Sequence, residues 1–191
     1  MHASFLQRLR LFRDIPEADE QLLVQALKPR CLREDEVLVR PGQVHHEMFF
    51  IVEGVLSILG QHEDGTQTTY SFCKENHLCP VIESFLNQVP ATDGVRAACP
   101  TEMLILPRAA LLGLCAQLPY LHTAIDMVTR HQLLEKEQLR NQYMGKSALA
   151  RYQLFLLREP DVARRVSLRD VASYLGITQQ SLSRIRRQLF S

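Results

Sequence analysis

The sequence lacks a hydrophobic run long enough to cross a bilayer, and residues 1–12 lack the apolar core of a signal peptide. We therefore expect a cytoplasmic protein with no membrane partner. The sequence also lacks an excess of charge of either sign, because 22 lysines and arginines are balanced by 21 acids, for a net charge of +1. This balance excludes a surface that is basic throughout, as in a general nucleic-acid coat.

Cysteine pairs are missing as well. The five cysteines are odd in number and scattered, and none belongs to a C-x-x-C pair, which argues against a zinc knuckle or a disulfide framework. We expect free thiols, mostly buried, in a reducing compartment. No Ser/His/Asp set and no pair of carboxylates is arranged for catalysis. We therefore expect neither an enzyme nor a bound metal or cofactor.

What charge there is lies unevenly along the chain. Residues 147–191 contain eight arginines, no lysine and three acids, so this segment is basic and the remainder is mildly acidic. That distribution is expected if one end of the protein meets phosphate. The total of 191 residues allows one large or two small domains.

The basic segment contains the pattern VSLRDVASYLGITQQSLSRIRRQL at residues 166–189. Ser167 is a good N-cap, and Asp170 is placed for the reciprocal half of a capping box. Gly176 predicts a left-handed end to the first helix, and Thr178 predicts the cap of a second. The pattern predicts a helix-turn-helix. The alternative is an ordinary αα-hairpin whose basic face is merely solvated.

The second of these helices has two different sides. Leu182, Ile185 and Leu189 fall on one side and predict packing against the rest of the domain. The opposite side is polar and basic, with side chains that can read base edges or bind phosphates. The residues on this side are Gln179, Gln180, Ser183, Arg184 and Arg187, with Arg186 on the flank.

The first two thirds of the chain change from a helical to an alternating pattern. Residues 4–28 read as helical and Pro29 ends them, whereas the period becomes two from Cys31. A hairpin is predicted at Glu63-Asp64-Gly65. Short strands with glycine-marked turns, and one helical piece at 82–86, predict an antiparallel barrel or roll.

A long helical region follows from Pro107 to Tyr143, with a break near Pro119. Its long part carries two neighbouring apolar stripes, one through Ile125 and Val128 and the other through Met127 and Leu134. Packing on the roll accounts for one stripe. The second predicts a twin helix from another subunit. Residues 146–157 predict a further amphipathic helix, which Pro160 closes.

A β-roll, a long helix and a terminal helix-turn-helix in this order resemble the cyclic-AMP receptor protein / fumarate-nitrate regulator (Crp/Fnr) family of bacterial transcription factors. In the roll the resemblance rests on Gly42, the FFIVEG run of 49–54 and Asp64-Gly65. In the last domain it rests on Val171-Ala172, Leu175-Gly176, Thr178 and Ser183-Arg184-Ile185. It implies double-stranded DNA and a second copy of the chain as partners.

The resemblance also implies an α+β fold in three parts. These are a cyclic-nucleotide-binding-like sensor domain at 1–117, a dimerisation helix at 118–145 and a helix-turn-helix DNA-binding domain at 146–191. The family usually adds a β-hairpin wing, whereas this chain ends at Ser191, soon after Leu189. We therefore expect a domain without the wing and without its phosphate contacts.

Carried over from the family's recognition helix, Gln179, Gln180, Ser183 and Arg184 fall where base edges are contacted. Arg186 and Arg187 lie further along and are expected on phosphate. The DNA-binding residues implied by the resemblance are Ser167, Thr178, Gln179, Gln180, Ser183, Arg184, Arg186 and Arg187.

The effector site departs from the family pattern. Cyclic-nucleotide binders carry a Gly-Glu-Leu run that holds the ribose, and an Arg before Ser or Thr that binds the cyclic phosphate. Here Cys79-Pro80 or, in a second alignment, Glu83-Ser84 replaces Gly-Glu, and Ala91-Thr92 replaces Arg-Thr. A buried phosphate without a cation is costly, so we expect no cyclic AMP binding of the usual kind. The effector-pocket candidates are Cys79, Pro80, Glu83, Ser84, Ala91, Thr92 and Arg96, the arginine nearest to the site.

Other branches of the family fit less well. No cysteine precedes Cys31, which argues against an iron–sulfur cluster, and His77 beside Cys79 is better read as a surface loop histidine than as a haem ligand. Two functions remain. One is a homodimeric DNA-binding regulator that leaves room for a small effector of unknown identity. The other is a sensor for a small molecule or protein whose vestigial helix-turn-helix no longer binds DNA. The three arginines at 184–187 favour the first, and the missing wing favours the second.

Overall fold

A computed structural model of the protein describes residues 1–61, 65–79 and 82–190. The helices are α1 (His2–Arg10), α2 (Glu17–Ala26), α3 (Ile82–Asn87), α4 (Arg108–Gln117), α5 (Tyr120–Tyr143), α6 (Ala148–Arg158), α7 (Pro160–Arg165), α8 (Leu168–Tyr174) and α9 (Gln179–Phe190). The strands are β1 (Lys28–Leu32), β2 (Val37–Val39), β3 (Glu47–Glu53), β4 (Leu56–Gln61), β5 (Gln67–Cys73), β6 (Gly94–Ala97) and β7 (Thr101–Pro107). The predicted α+β class is confirmed.

The strands form two antiparallel sheets, one in the order β1-β7-β3 and the other in the order β2-β6-β4-β5. Apolar side chains from both sheets, among them Phe49, Ile58, Val95 and Met103, form the buried cluster between them. This is the predicted roll. The strands β4 and β5 pair as a hairpin, but Glu63 and Asp64 of its predicted turn lie outside the described residues.

Gly54 joins β3 to β4 at a position that no other residue can take. Its φ is +109°, and a Cβ placed there would lie 2.4 Å from Thr101 Oγ1 and 2.6 Å from Thr101 Cα. The neighbouring chain therefore passes directly against the Gly54 backbone. This close approach sets the corner between the two sheets of the roll.

The first helical segment ends earlier than predicted. The helix α2 stops at Ala26, and Pro29 lies inside β1 instead of ending the helical part. A proline is tolerated in β1 because that strand is at the edge of its sheet, where one side of the backbone needs no partner strand.

The break near Pro119 is confirmed, because α4 ends at Gln117 and α5 begins at Tyr120. The helix α5 has 24 residues, which corresponds to a length of about 36 Å. Ile125 and Val128 face inward and join the cluster that α1, α2 and α4 form against the roll. Met127, Leu133 and Leu134 are 42%, 60% and 57% exposed. The two stripes therefore differ in burial. The stripe through Ile125 and Val128 belongs to the chain's own core, whereas the stripe through Met127 and Leu134 is exposed.

The core of the C-terminal helices is continuous with residues of the roll. Phe155, Val171 and Leu182 pack in one cluster with Val55 and Ala98 of the roll. Pro160 is the first residue of α7, so it opens a helix rather than only closing α6. The boundaries at 117 and 145 stay predictions. None of the described helices combines the length and the apolar character that a bilayer span requires.

Candidate nucleic-acid interface

The helices α8 and α9 are joined by a tight, fully hydrogen-bonded turn. Gly176 has a φ of +65°, its N–H donates to the Ser173 carbonyl, and the Ile177 N–H donates to the Ala172 carbonyl, both at 3.0 Å. This pair of bonds is the Schellman arrangement that ends a helix with a left-handed residue. We call residues 168–190 the α8–α9 unit. Its angle is set by backbone bonds and does not depend on surface side chains.

Both helices begin at the predicted caps. The Ser167 hydroxyl accepts a hydrogen bond from the Asp170 N–H at 3.1 Å, and the Thr178 hydroxyl accepts one from the Ser181 N–H at 3.2 Å. Ser167 and Thr178 are also exposed. Their hydroxyls therefore hold the helix ends at the surface, close to where the polar side of α9 starts.

One side of α9 holds the helix to the protein. Leu182 is fully buried, and Ile185 and Leu189 pack at the edge of the same cluster. The prediction that these three residues face inward is confirmed. The opposite side is consequently turned to solvent.

The outward side carries the polar residues predicted to read DNA. Gln179, Gln180, Arg184 and Arg187 are exposed, and Ser183 is half-buried between them. These five side chains line one open depression on the surface; we call them the polar face. They bring amide, hydroxyl and guanidinium groups together, which suits hydrogen bonding to base edges and phosphates.

Arg186 differs from its two neighbours. It is half-buried, and its Nε is covered by the protein. The guanidinium lies at the side of α9 and not at the centre of the polar face. Its assignment to phosphate stays a prediction, and its side chain is less exposed than that of Arg187.

The carboxylate of Asp170 does not complete a capping box. Its Oδ1 accepts a hydrogen bond from Arg96 Nη2 of β6 at 2.7 Å and another from the Thr69 hydroxyl of β5 at 3.3 Å. Asp170 is only 3% exposed. A buried carboxylate is stabilised more by a cation than by a backbone N–H at the end of a helix. The Asp170 carboxylate therefore binds Arg96 of the roll in place of the predicted capping bond at Ser167.

The same contact corrects the expectation that Arg96 lines an effector pocket. Val95 and Ala97 belong to the buried cluster of the roll, whereas the Arg96 side chain between them extends to Asp170 and Asp35. Alternation along β6 accounts for this, because neighbouring side chains point to opposite faces of a sheet. Arg96 is thus a joint between the roll and α8.

The other described pocket candidates do not form one lining, because some are buried and others are exposed. Cys79 and Ala91 are buried in the apolar cluster of the roll, whereas Glu83 and Thr92 are exposed. The buried Ser84 hydroxyl accepts a hydrogen bond from the His45 N–H at 3.0 Å. Pro80 lies outside the described residues. Their role in binding an effector stays a prediction.

The backbone at Ala91 is already occupied. The Ala91 N–H donates to the Gln43 carbonyl at 2.9 Å, and the Ala91 carbonyl accepts from the Gly42 N–H at 2.8 Å. With an alanine side chain and both backbone groups paired, this residue offers no group to bind a phosphate.

His77 is not a surface histidine, contrary to expectation. Its side chain is 20% exposed, Nδ1 lies 2.8 Å from the Glu75 carbonyl oxygen, and Nε2 lies 3.7 Å from the Glu135 carboxylate. Burial lowers the pKa of His77, and the charges of Arg8 and Lys74 act in the same direction. Both ring nitrogens thus face groups of the protein. Across the described parts of the chain, no group of three His, Cys, Asp or Glu residues is placed to bind a metal ion.

Several residues at the joint between the roll and α8 were missed from the sequence. The Thr69 N–H donates to the Ser173 hydroxyl at 2.8 Å, and Arg165 binds the Glu75 carboxylate, with Nη2 to Oε2 at 3.1 Å. Burial acts to raise the pKa of Glu75, but hydrogen bonds from Arg165 and the Gly54 N–H outweigh it and the pKa is lowered. The sequence carried one signal for this joint, because Asp170 is an acid in an otherwise basic segment.

Comparison with known proteins agrees with this architecture. Residues 29–118, from β1 to the end of α4, match the family model of the cyclic nucleotide-binding domain. A protein of Rhodopseudomonas palustris, whose name describes it as a candidate potassium channel, is 29% identical over 126 residues. That alignment covers 65% of this chain but only 30% of the relative. The aligned part of the chain thus spans less than a third of that protein's length.

Solved structures have a similar fold over most of the chain at low sequence identity. The catabolite activator protein of Thermus thermophilus is 18% identical with a TM-score of 0.58, over 94% of this chain and 85% of that one. The c-di-GMP responsive regulator CLP of Xanthomonas campestris is 15% identical with a TM-score of 0.70, over 91% of both chains. FixK2 of Bradyrhizobium japonicum is 21% identical with a TM-score of 0.67, over 85% and 84%. The resemblance to Crp/Fnr-type regulators is confirmed at the level of the fold.

Proposed function

We propose that this protein is a homodimeric, DNA-binding regulator of transcription that does not respond to cyclic AMP in the way of the family's nucleotide binders. The observation that carries the proposal is the polar face of α9. Gln179, Gln180 and Arg184 are exposed together on a helix whose other side is anchored by Leu182. The two amides suit adenine and the guanidinium suits guanine in a major groove.

The geometry of the α8–α9 unit supports the same function. In a helix-turn-helix the second helix enters the major groove while the first crosses the backbone. The Schellman turn at Gly176 keeps these two helices at a fixed angle. The surrounding segment, residues 147–191, has five more positive than negative charges, since eight arginines exceed three acids. Such a charge supplies the attraction to phosphate that does not depend on sequence.

The exposed side of α5 supports a homodimer. Met127 and Leu134 are seven residues apart, so they lie on one line of the helix, and both are exposed. Two such helices paired about a twofold axis would bury these side chains, and two half-sites one turn of DNA apart would require the two copies of α9 to lie about 34 Å from each other. A regulator of this kind acts by binding DNA and not by catalysis. It is located in the compartment that contains the DNA. That the DNA-binding domain lacks a wing stays a prediction.

The proposal is tested by selecting bound duplexes from a random DNA pool with the purified protein. We expect enrichment of a site with two related half-sites, and an affinity for it that falls steeply as salt rises. A variant with Gln179, Gln180 and Arg184 all replaced by alanine should enrich no sequence. The variant Arg30→Met, which removes one charge from the roll, serves as the control and should select the wild-type site. No enrichment by the wild type would contradict the proposal and favour the sensor that does not bind DNA.

A further inference from the structure

The contact between Arg96 and Asp170 is the most buried ion pair among the described residues that joins the roll to the C-terminal helices. The side chain of Asp170 is 5% exposed and that of Arg96 is 15% exposed. The Arg96 guanidinium also binds Asp35, so it lies between two carboxylates of different parts of the chain. Removing Arg96 would leave the buried Asp170 carboxylate without its cation, which is strongly unfavourable, whereas removing Asp170 would leave Arg96 its second partner, Asp35.

Further contacts act on the same face of the roll. Thr69 binds both Asp170 and Ser173 of α8, and Glu75 binds Arg165 of α7. The Phe72 ring of β5 lies 5.0 Å from the Tyr174 ring of α8. The strand β5 thus provides polar and aromatic contacts along α8, and Arg96 of β6, two strands away in the same sheet, adds the ion pair with Asp170. These contacts fix the rotation of α8 about its axis as well as its distance from the roll.

The orientation of α8 determines that of α9. The two helices are joined by the bonded turn at Gly176, and Leu182 packs in the cluster that holds α8. In this orientation the polar face of α9 is turned to solvent. In a dimer, a change in the angle of α8 would therefore change the distance and angle between the two polar faces, which must fit two half-sites at once.

We infer that Arg96 and Asp170 are positioning residues, which hold the α8–α9 unit on the roll at the angle that two DNA half-sites require. Both side chains are largely buried, so we assign them no direct contact with DNA. The inference rests on the proposed function. If Arg96 and Asp170 have this role, the preference of the protein for one half-site spacing depends on an ion pair in its interior.

The test compares two duplexes, one with the selected half-sites at their natural spacing and one with five base pairs inserted between them. Binding to each is measured by fluorescence anisotropy with the full chain. We expect the wild type to prefer the natural spacing by at least about tenfold, since half a turn places the second half-site on the other side of the duplex. Arg96→Met and Asp170→Asn should each bring the ratio of the two affinities close to one. The double variant Arg96→Met/Asp170→Asn should lose no more of the spacing preference than either single variant, because all three break the contact between Arg96 and Asp170.

A second readout does not involve DNA. Lys146 lies in the exposed link between α5 and α6, and trypsin should cleave there at least about fivefold faster in Arg96→Met at a temperature where circular dichroism shows the variant folded. The control Arg30→Met removes the same charge from a half-exposed ion pair with Glu36 on the roll. It should keep both the spacing ratio and the rate of cleavage.

Three outcomes decide the matter. If the variants keep the wild-type spacing ratio while folded, the positioning role is wrong. If they lose affinity for both duplexes equally and melt at a lower temperature, the pair only stabilises the fold and the positioning role is again wrong. If the wild type binds neither duplex, the proposed function fails and the role in DNA spacing fails with it, while the trypsin assay still shows whether the pair holds α8 on the roll.

Discussion

The ring of Tyr143, the last residue of α5, lies edge-on to the ring of Tyr174, the last residue of α8, with centroids 5.8 Å apart and planes at 89°. The Tyr174 ring also lies 5.0 Å from Phe72 of β5 and 5.6 Å from Phe155 of α6. One side chain therefore contacts the roll, the long helix and the C-terminal helices. This aromatic group is where the three parts of the chain meet.

From this arrangement we expect Tyr174→Leu to destabilise the whole chain. The substitution keeps an apolar side chain but removes three ring–ring contacts, each worth about 0.5–1.5 kcal/mol, so the free energy of unfolding should fall by about 2 kcal/mol. Tyr174→Phe is the matched control and should cost less than about 1 kcal/mol, because the ring stays in place. Urea denaturation measures both. A loss as large for Phe as for Leu would show that the ring contacts are not responsible.

The exposed stripe of α5 predicts which substitutions dissociate the proposed dimer. Met127→Asp or Leu134→Asp should give folded monomers in sedimentation analysis, because a carboxylate would be buried between the two helices. Ile125→Asp and Val128→Asp should instead unfold the chain, since both residues are buried in its own core. Leu157→Asp, at an exposed leucine of α6, is the control and should stay dimeric. A wild type that sediments as a monomer at micromolar concentration would contradict the prediction.

The roles of these α5 residues show what the sequence could and could not predict. Periodicity of three and four residues, together with Pro119, located the helix to within a few residues, because such patterns depend on local structure. The same pattern marked two apolar stripes but could not tell which one the chain's own core would cover. Which stripe is buried depends on where α1 and the roll pack against α5. The residues around Ile125 do not determine that packing.

Asp170 shows the same limit in the candidate site. The cap at Ser167, the turn at Gly176 and the polar face of α9 follow from neighbouring residues, and all three are present. The sequence also suggested a capping box, but the carboxylate binds Arg96, which lies 74 residues earlier in the chain. For Arg96 itself, alternation along β6 left both faces open until the register of the sheet was known.

His77 predicts a dependence of stability on pH. Burial lowers its pKa from the ordinary value of 6.5, so the folded state holds fewer protons on this ring than the unfolded state. The stability is complete above pH 6.5 and falls as the pH drops from 6.5 through the lower pKa of the folded state. The melting temperature should therefore fall between pH 7.5 and pH 5.5, and His77→Gln should fall less.

The control for this prediction is His122→Gln, at an exposed histidine of α5. Its melting temperature should change with pH in the same way as that of the wild type. Part of the pH dependence should remain in His77→Gln, because burial also lowers the pKa of His45. If His77→Gln and the wild type lose the same number of degrees on acidification, His77 does not titrate in the way proposed.

Cyclic nucleotides should not bind at the site used by the family. Ala91 replaces the expected arginine, and both of its backbone groups are paired with Gly42 and Gln43. Calorimetry with cyclic AMP and cyclic GMP should show no saturable heat up to about 100 μM, which corresponds to a binding free energy of about −5.5 kcal/mol. Saturation below that concentration would contradict the prediction, and DNA binding measured with and without the nucleotide would show whether it acts as an effector.

The residues of α9 should divide into those that read bases and those that bind phosphate. Arg184 is exposed near the middle of the polar face, where a guanidinium can form two hydrogen bonds with guanine. Arg184→Ala should therefore weaken binding to the selected site by about 1–3 kcal/mol and relax the preference at one base pair of each half-site. Fluorescence anisotropy with the selected and a scrambled duplex measures both effects.

Arg187→Ala is the matched comparison, because it removes the same side chain less than one turn further along the same helix. A phosphate contact carries no sequence information, so this variant should weaken binding to both duplexes alike and make the affinity less steep in salt. The two variants should therefore differ in two quantities. One is the ratio of the affinities for the selected and the scrambled duplex, and the other is the dependence of affinity on salt concentration. If Arg184→Ala also weakened both duplexes equally, Arg184 would be a phosphate contact, and the base-reading role would rest with Gln179, Gln180 and Ser183.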